Sequence, residues 1–239
     1  MKVTIIKLLH LIKRILTILK HYCLPTHTPP PPLSPYEMFV KEELEKSFNT
    51  FKPYFLTSVL LENKNYRKYI IEKAKENDNE NNTFYLEFGV YRGKSINYFS
   101  KYVNTIYGFD SFEGLKEDWV GTNMTKGTFN LNKKLPKLNK NVVPIVGWVQ
   151  DSLSKFLEEH KPKINFVHLD LDTYESTKFV LTKIKPYLLK KSIVAFDELY
   201  NYPGWEVGEY KALKENFNEN EYKFIAFSQT GLQAAIQII

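Results

Sequence analysis

Acidic residues recur where apolar runs end. Glu87 closes FYLE and Asp110 closes IYGFD. Asp151 follows VVPIVGWVQ, Asp170 and Asp172 end INFVHLDLD, and Asp197-Glu198 follow SIVAF. In INFVHLDLD, His168, Asp170 and Asp172 alternate with Val167, Leu169 and Leu171, so the polar three start on one side of a strand. Adjacent carboxylates repel, and a buried charge needs a partner. A hard divalent cation meets both demands. Oxygen donors with no cysteine nearby favour magnesium or a similar ion over zinc. His168 reads as a neutral core histidine bonded to backbone, with a role as a second base as the alternative.

A second constellation is the loop Glu87-Phe-Gly89-Val-Tyr-Arg-Gly93. Glycine lets a ligand approach the backbone where a strand turns into a helix. The spacing is neither the G-x-G-x-x-G of a dinucleotide site nor a P-loop, which argues against an NAD oxidoreductase. With Glu87 before it and Asp110 ending the next run, the loop suits the ribose hydroxyls and amino-acid part of a nucleoside such as S-adenosylmethionine. Tight helix–strand packing is the plain alternative for the two glycines.

These residues need elements to position them. Helical spacing covers 36–50 and 58–76, and a polar break covers 75–82. From there strands and helices alternate: strands at 83–88, 105–112, 142–150, 164–172 and 191–200, helices at 94–103, 151–160, 176–189 and 204–218. Two closing strands, 222–228 and 232–239, flank Gln229-Thr230-Gly231. Such alternation predicts a parallel sheet with helices on both faces, which binds ligands outside the carboxyl ends of its strands. The stretch 115–141 lacks periodicity and is rich in Asn, Lys and Gly. Loops of that length are usually lids or binding loops, and this one is expected to cover the acceptor.

Composition sets the limits. The chain has 239 residues, 43% hydrophobic and 25% charged, as in an ordinary folded protein of one decorated α/β domain. Cys23 stands alone, so neither a disulfide framework nor a thiolate zinc site forms within the chain. The net charge of +6 is local: Lys2, Lys7, Lys13, Arg14 and Lys20 face no acid in residues 1–36. The folded part is close to neutral, which argues against nucleic acid as a partner.

Residues 2–22 place Lys7, His10, Lys13, Arg14, Lys20 and His21 on one helical face and leucines and isoleucines on the other. The charges make a poor bilayer span, and no cleavage site follows. The pattern suits a helix lying on an anionic membrane surface, or docking on its own domain or a partner. Six prolines between Pro25 and Pro35 mark a stiff spacer. The expected organisation is a basic amphipathic helix at 1–24, a linker at 25–35, a helical extension at 36–82 and a catalytic domain at 83–239.

Five segments then carry a family likeness. LEFGVYRGKSI, IYGFDSFEGL, GWVQDSL, VHLDLDTYEST and FDELYNYPGW, in that order, resemble the class I S-adenosylmethionine methyltransferases of the macrocin O-methyltransferase type, which act on sugar hydroxyls. The likeness covers about 83–215 and omits 1–60 and 120–141. It implies a Rossmann-like, doubly wound, mostly parallel sheet of seven strands, with the N-terminal helices added. It implies that Glu87, Gly89, Tyr91, Gly93 and Ser95 line the cofactor, that Asp110 holds the ribose, that Ser111 and Phe112 flank the adenosine, and that Gln150, Asp151 and Ser152 lie near the adenine.

By the same likeness, Asp170, Asp197 and Glu198 hold a divalent cation, Mg2+, and Asp172 is the general base. Glu198 stands where relatives commonly carry aspartate. Tyr174, Tyr200, Tyr202 and Trp205 are candidates for the acceptor pocket. The function implied is metal-assisted O-methylation of a sugar or glycan precursor. The alternatives are a metal-independent small-molecule O-methyltransferase and a non-catalytic membrane-associated adaptor. Expected partners are the acceptor, an anionic membrane through residues 2–22, and a second copy of the chain. The expected location is the cytoplasm, peripheral on the inner face of a membrane.

Overall fold

The computed structural model describes residues 9–17, 31–76, 78 and 82–239. Most of the amphipathic segment 2–22, and the linker before residue 31, lie outside the described residues. Residues 9–17 are helical (α1) and expose Leu9, Leu11, Ile12, Ile15 and Leu16. No helix among the described residues is long and apolar enough to cross a membrane. The chain divides into two compact units, 1–37 and 38–239.

The elements follow in order: α2 Pro35–Phe55, β1 Val59–Leu61, α3 Asn63–Glu76, β2 Phe84–Phe88, α4 Lys94–Phe99, β3 Ile106–Asp110, β4 Val142–Val146, α5 Val149–His160, β5 Ile164–Leu169, α6 Tyr174–Ile184, β6 Leu188–Phe196, α7 Glu209–Asn216, β7 Tyr222–Ser228 and β8 Ala234–Ile238. One sheet holds all the strands in the order β1-β7-β8-β6-β5-β2-β3-β4. Every pairing is parallel except those of β8, which runs antiparallel to β6 and β7. β2 and β5 sit in the middle with almost every residue buried, as fits near-continuous apolar runs covered on both faces.

The expected seven strands are β2–β8, and the sheet has an eighth. Residues 59–61, read from the sequence as the start of a helix, pair with Ala226–Ser228 as edge strand β1. A short apolar run such as Ser58-Val-Leu-Leu does not distinguish helix from strand, and the open edge of β7 decides. Leu188 and Leu189, expected at the end of a helix, open β6 instead.

Phe51 of α2 is fully buried, with ring centroids 5.2 Å from Tyr200, 5.5 Å from Trp205 and 5.9 Å from Phe227. Tyr200 and Trp205, expected in an acceptor pocket, are therefore core residues under α2. The Tyr200 hydroxyl donates to the Ser228 carbonyl at 2.6 Å. On the other side of the sheet, α3 is tied to β5: Asn165 Nδ2 donates to the Ala74 carbonyl at 2.7 Å.

Candidate active site

Register brings the motifs into line. Glu87 pairs with His168, and His168 with Ala195, across β2, β5 and β6. Each strand then turns out of the sheet at the same level. Gly89 N donates to Phe109 O, Asp170 N to Phe88 O, Asp197 N to Leu169 O and Gly147 N to Asp110 O, all at 2.8–3.0 Å. Gly89 has φ +87°, and a Cβ there would overlap the Asp170 carbonyl, so this crossing of two strand ends admits no side chain.

Above these ends lies a crevice of about 240 Å³. Gly89, Tyr91, Asp110 and Ser111 line it, as expected of a cofactor loop. Trp148 and Val149 line it as well. The irregular stretch 115–141 supplies Leu115, Lys116, Trp119 and Phe129. An apolar slot with a few polar groups is the lining a nucleoside needs.

The other expected cofactor residues lie elsewhere. Ser95 is buried and donates to Glu87 Oε1 at 2.9 Å. Gly93 packs on Leu138, where a Cβ would crowd the side chain. Gln150 accepts from Lys116 Nζ at 3.2 Å, and Asp151 is exposed in the first turn of α5. Trp148 occupies the N-terminal cap position of that helix. Asp110 spends its carboxylate on backbone: Val90 N and Tyr91 N donate to Oδ2 at 2.8 and 2.7 Å, and Phe112 N donates to Oδ1 at 2.6 Å. It pins the glycine loop to the end of β3.

The acids form a connected group. Ligand oxygens of Asp170, Asp172 and Glu198 lie within 4.8 Å of one another, and Asp170 shares a second such group with His168 and Asp197. His168 is fully buried between two carboxylates: Nδ1 is 3.2 Å from Glu87 Oε2 and Nε2 is 3.5 Å from Asp197 Oδ1. Arg67 of α3 adds a contact to Asp197 Oδ1 at 3.8 Å. The neutral, backbone-bonded histidine expected from sequence is thus a charged one. Burial opposes its protonation, but Asp197 and Glu87 outweigh burial and lift its pKa to about 10. Burial likewise acts to raise Asp197, yet His168, a hydrogen bond from Glu198 and Arg67 bring it down to about 2.

The crevice-facing acids behave oppositely. Burial, then Asp197 and Asp110, raises Asp172 to about 7. Burial and the neighbouring carboxylates hold Asp170 and Glu198 well above the usual range. Glu198 Oε2 has no hydrogen-bond partner. Such a group of buried oxygen donors short of positive charge fits a hard divalent cation.

Sequence reasoning missed three contributors. Glu209 is fully buried under the acids, accepts from Glu198 N at 3.1 Å and is raised to about 8, by burial first. Arg67 comes from a helix read only as an extension. Trp119 comes from a stretch without periodicity, where an aromatic residue in a polar loop was the available signal.

A family model described as a methyltransferase domain matches residues 86–199, from β2 to just beyond β6. The sheet order and the strand-end crevice agree with that match. Solved structures agree in fold. CalS11, a calicheamicin methyltransferase, aligns at TM-score 0.61 and 22% identity, covering 86% of this chain and 94% of that one. The apo form of CalS11, a TDP-rhamnose 3'-O-methyltransferase, aligns at 0.54 and 22%, covering 86% and 96%. The O-methyltransferase NovP aligns at 0.55 and 19%, covering 73% and 78%. No curated protein matches the sequence.

Proposed function

We propose that this enzyme methylates a hydroxyl of a sugar or glycan precursor, assisted by a divalent cation. One observation carries the reading: the acids Asp170, Asp172 and Glu198 open into the same crevice as the glycine loop. That fold neighbours are O-methyltransferases supports the hydroxyl as acceptor.

In the proposed site, Gly89, Tyr91 and Ser111 border the donor, and Trp148 and Val149 close the slot. Donor S-adenosylmethionine supplies a methyl already activated on a sulfonium. A divalent cation held there, magnesium by the oxygen donors, would lower the pKa of a bound hydroxyl. Asp170, Asp197 and Glu198 are its proposed ligands. Asp170 belongs to both ligand groups, and Asp197 is held on its far side by His168 and Arg67. Asp172 is the proposed base. The acceptor hydroxyl gives its proton to Asp172, and its oxygen gains the methyl as the carbon–sulfur bond breaks, leaving S-adenosylhomocysteine. Trp119 and Phe129 exclude water from the crevice, so much of the acceleration comes from positioning.

We further place residues 2–22 on an anionic membrane surface, at the inner face of a membrane. The exposed leucines and isoleucines of α1 support this. The domain boundaries 1–24, 25–35, 36–82 and 83–239 and a homo-oligomeric state remain part of the proposal.

The test is transfer of labelled methyl from S-adenosylmethionine to simple glycosides by the full chain. Activity should vanish in EDTA and return with magnesium. Transfer unchanged by EDTA would remove the cation. Failure to bind S-adenosylhomocysteine would remove the reaction.

A further inference from the structure

A second cavity, of about 140 Å³, adjoins the first, and the two share Trp119, Asp172 and Thr173. Asp172 therefore faces the donor crevice on one side and this smaller chamber on the other. The segment 202–208 and the start of α6 build the remaining walls. Two of its aromatic side chains, Trp119 and Tyr202, meet edge to face with centroids 5.9 Å apart.

Three features of the chamber point to a ligand. Trp119 and Tyr202 are each more than nine-tenths buried; the Trp119 Nε1–H is directed at Tyr202 Oη, and the Tyr202 hydroxyl proton has no acceptor of its own. Buried donors without partners are costly unless something else supplies an acceptor. Gly208 lines the same chamber, and a Cβ there would strike Tyr202 Oη, so the glycine leaves room for that hydroxyl. Finally, the lining carries Glu117, Asp118 and Glu175 beside Asp172, and no lysine or arginine. Lys178 and Lys211, which touch Tyr174, are ion-paired with Glu215. On the donor side, Lys116 is engaged by Gln150 and the Trp148 ring.

We propose that this chamber is the acceptor subsite, and that it takes a sugar bearing no phosphate or carboxylate, either neutral or carrying an amine. The inference rests on the methyl-transfer reading above and narrows its substrate class. Aromatic faces match the C–H faces of a sugar ring, and the unpartnered Tyr202 hydroxyl proton matches a ring or hydroxyl oxygen. The carboxylates accept from hydroxyls or an ammonium. They repel a nucleotide diphosphate, so the lining selects by rejection as well as attraction.

The experiment uses the full chain with magnesium and three probes: methyl glycosides of neutral 6-deoxysugars, methyl glycosides of amino sugars, and TDP-linked 6-deoxysugars. Binding is read by saturation-transfer NMR in the presence of S-adenosylhomocysteine, and transfer by labelled methyl. The expected result is binding and transfer for the methyl glycosides, with kcat/KM at least tenfold above the TDP-linked sugars. Y202F should raise KM for the glycoside several-fold while calorimetry shows unchanged affinity for S-adenosylhomocysteine. Preference for the TDP-linked sugars, or an unmoved KM in Y202F, overturns the proposal. Binding of S-adenosylhomocysteine with no glycoside binding overturns it alone. No binding of S-adenosylhomocysteine overturns the methyl-transfer reading beneath it as well.

Discussion

His168 holds Asp197 in place: its Nε2 lies 3.5 Å from Asp197 Oδ1, while the other ring nitrogen faces Glu87. A protonated imidazole at full burial is the positive charge that lets two carboxylates sit beneath the site.

Replacing His168 by Leu strands Glu87 and Asp197 as buried charges without their cation. The loss of stability should be about 3–5 kcal/mol, the usual result of removing one member of a buried charged set. Urea denaturation measures it, and the double variant E87Q/H168L should recover part of the loss. A single-variant effect below about 1 kcal/mol would falsify the charged-histidine account.

Asp172 and Asp197 separate base from ligand. D172N should lower kcat by about 10²–10⁴-fold, the range for loss of a general base, with magnesium affinity retained. D197N should weaken magnesium binding instead. Calorimetric titration of both variants with magnesium decides. Tighter loss of the ion in D172N than in D197N would exchange the two roles, since Asp172 lies in the same ligand group as Asp170 and Glu198.

Gly89→Ala should fail for backbone reasons. Its φ of +87° and the Asp170 carbonyl against it leave no place for a methyl. The expected cost exceeds about 1 kcal/mol, and binding of S-adenosylhomocysteine should fall with it. Thermal melting and calorimetry report the two effects. An alanine variant that melts and binds like the parent would show that the crossing relaxes.

The membrane proposal for residues 2–22 is checked by co-sedimentation. The full chain should pellet with vesicles containing phosphatidylserine and remain in solution with neutral phosphatidylcholine vesicles. Removal of residues 1–30 should abolish the difference. Equal binding to both vesicles would point to the apolar face alone.

Much of the fold was readable because it is written locally. Strand and helix periods at 84–88, 106–110, 164–169 and 222–238 match the observed elements, and the order of the five segments matches the sheet. The eighth strand was not readable. Val59–Leu61 becomes a strand only because β7 offers an unpaired edge. Tyr200 and Trp205 looked equally suited to a pocket or a core, and Phe51, some 150 residues earlier, settles them as core.

The amino-acid sequence alone determined which residue types stand at the strand ends, since alternation along a strand and the turn after it depend on near neighbours. It thereby placed Gly89, Asp110, Asp170, Asp172 and Glu198 at one crevice. What only tertiary structure decided is which partner each polar group meets. Asp110 is consumed by three backbone amides, Asp197 faces His168 and Arg67 through Oδ1, and Glu209 accepts from the amide of Glu198. Trp119 and Tyr202, 83 positions apart, meet as walls of one chamber. Charge state and pairing follow from burial and from contacts between distant segments, and neither has a local period to read.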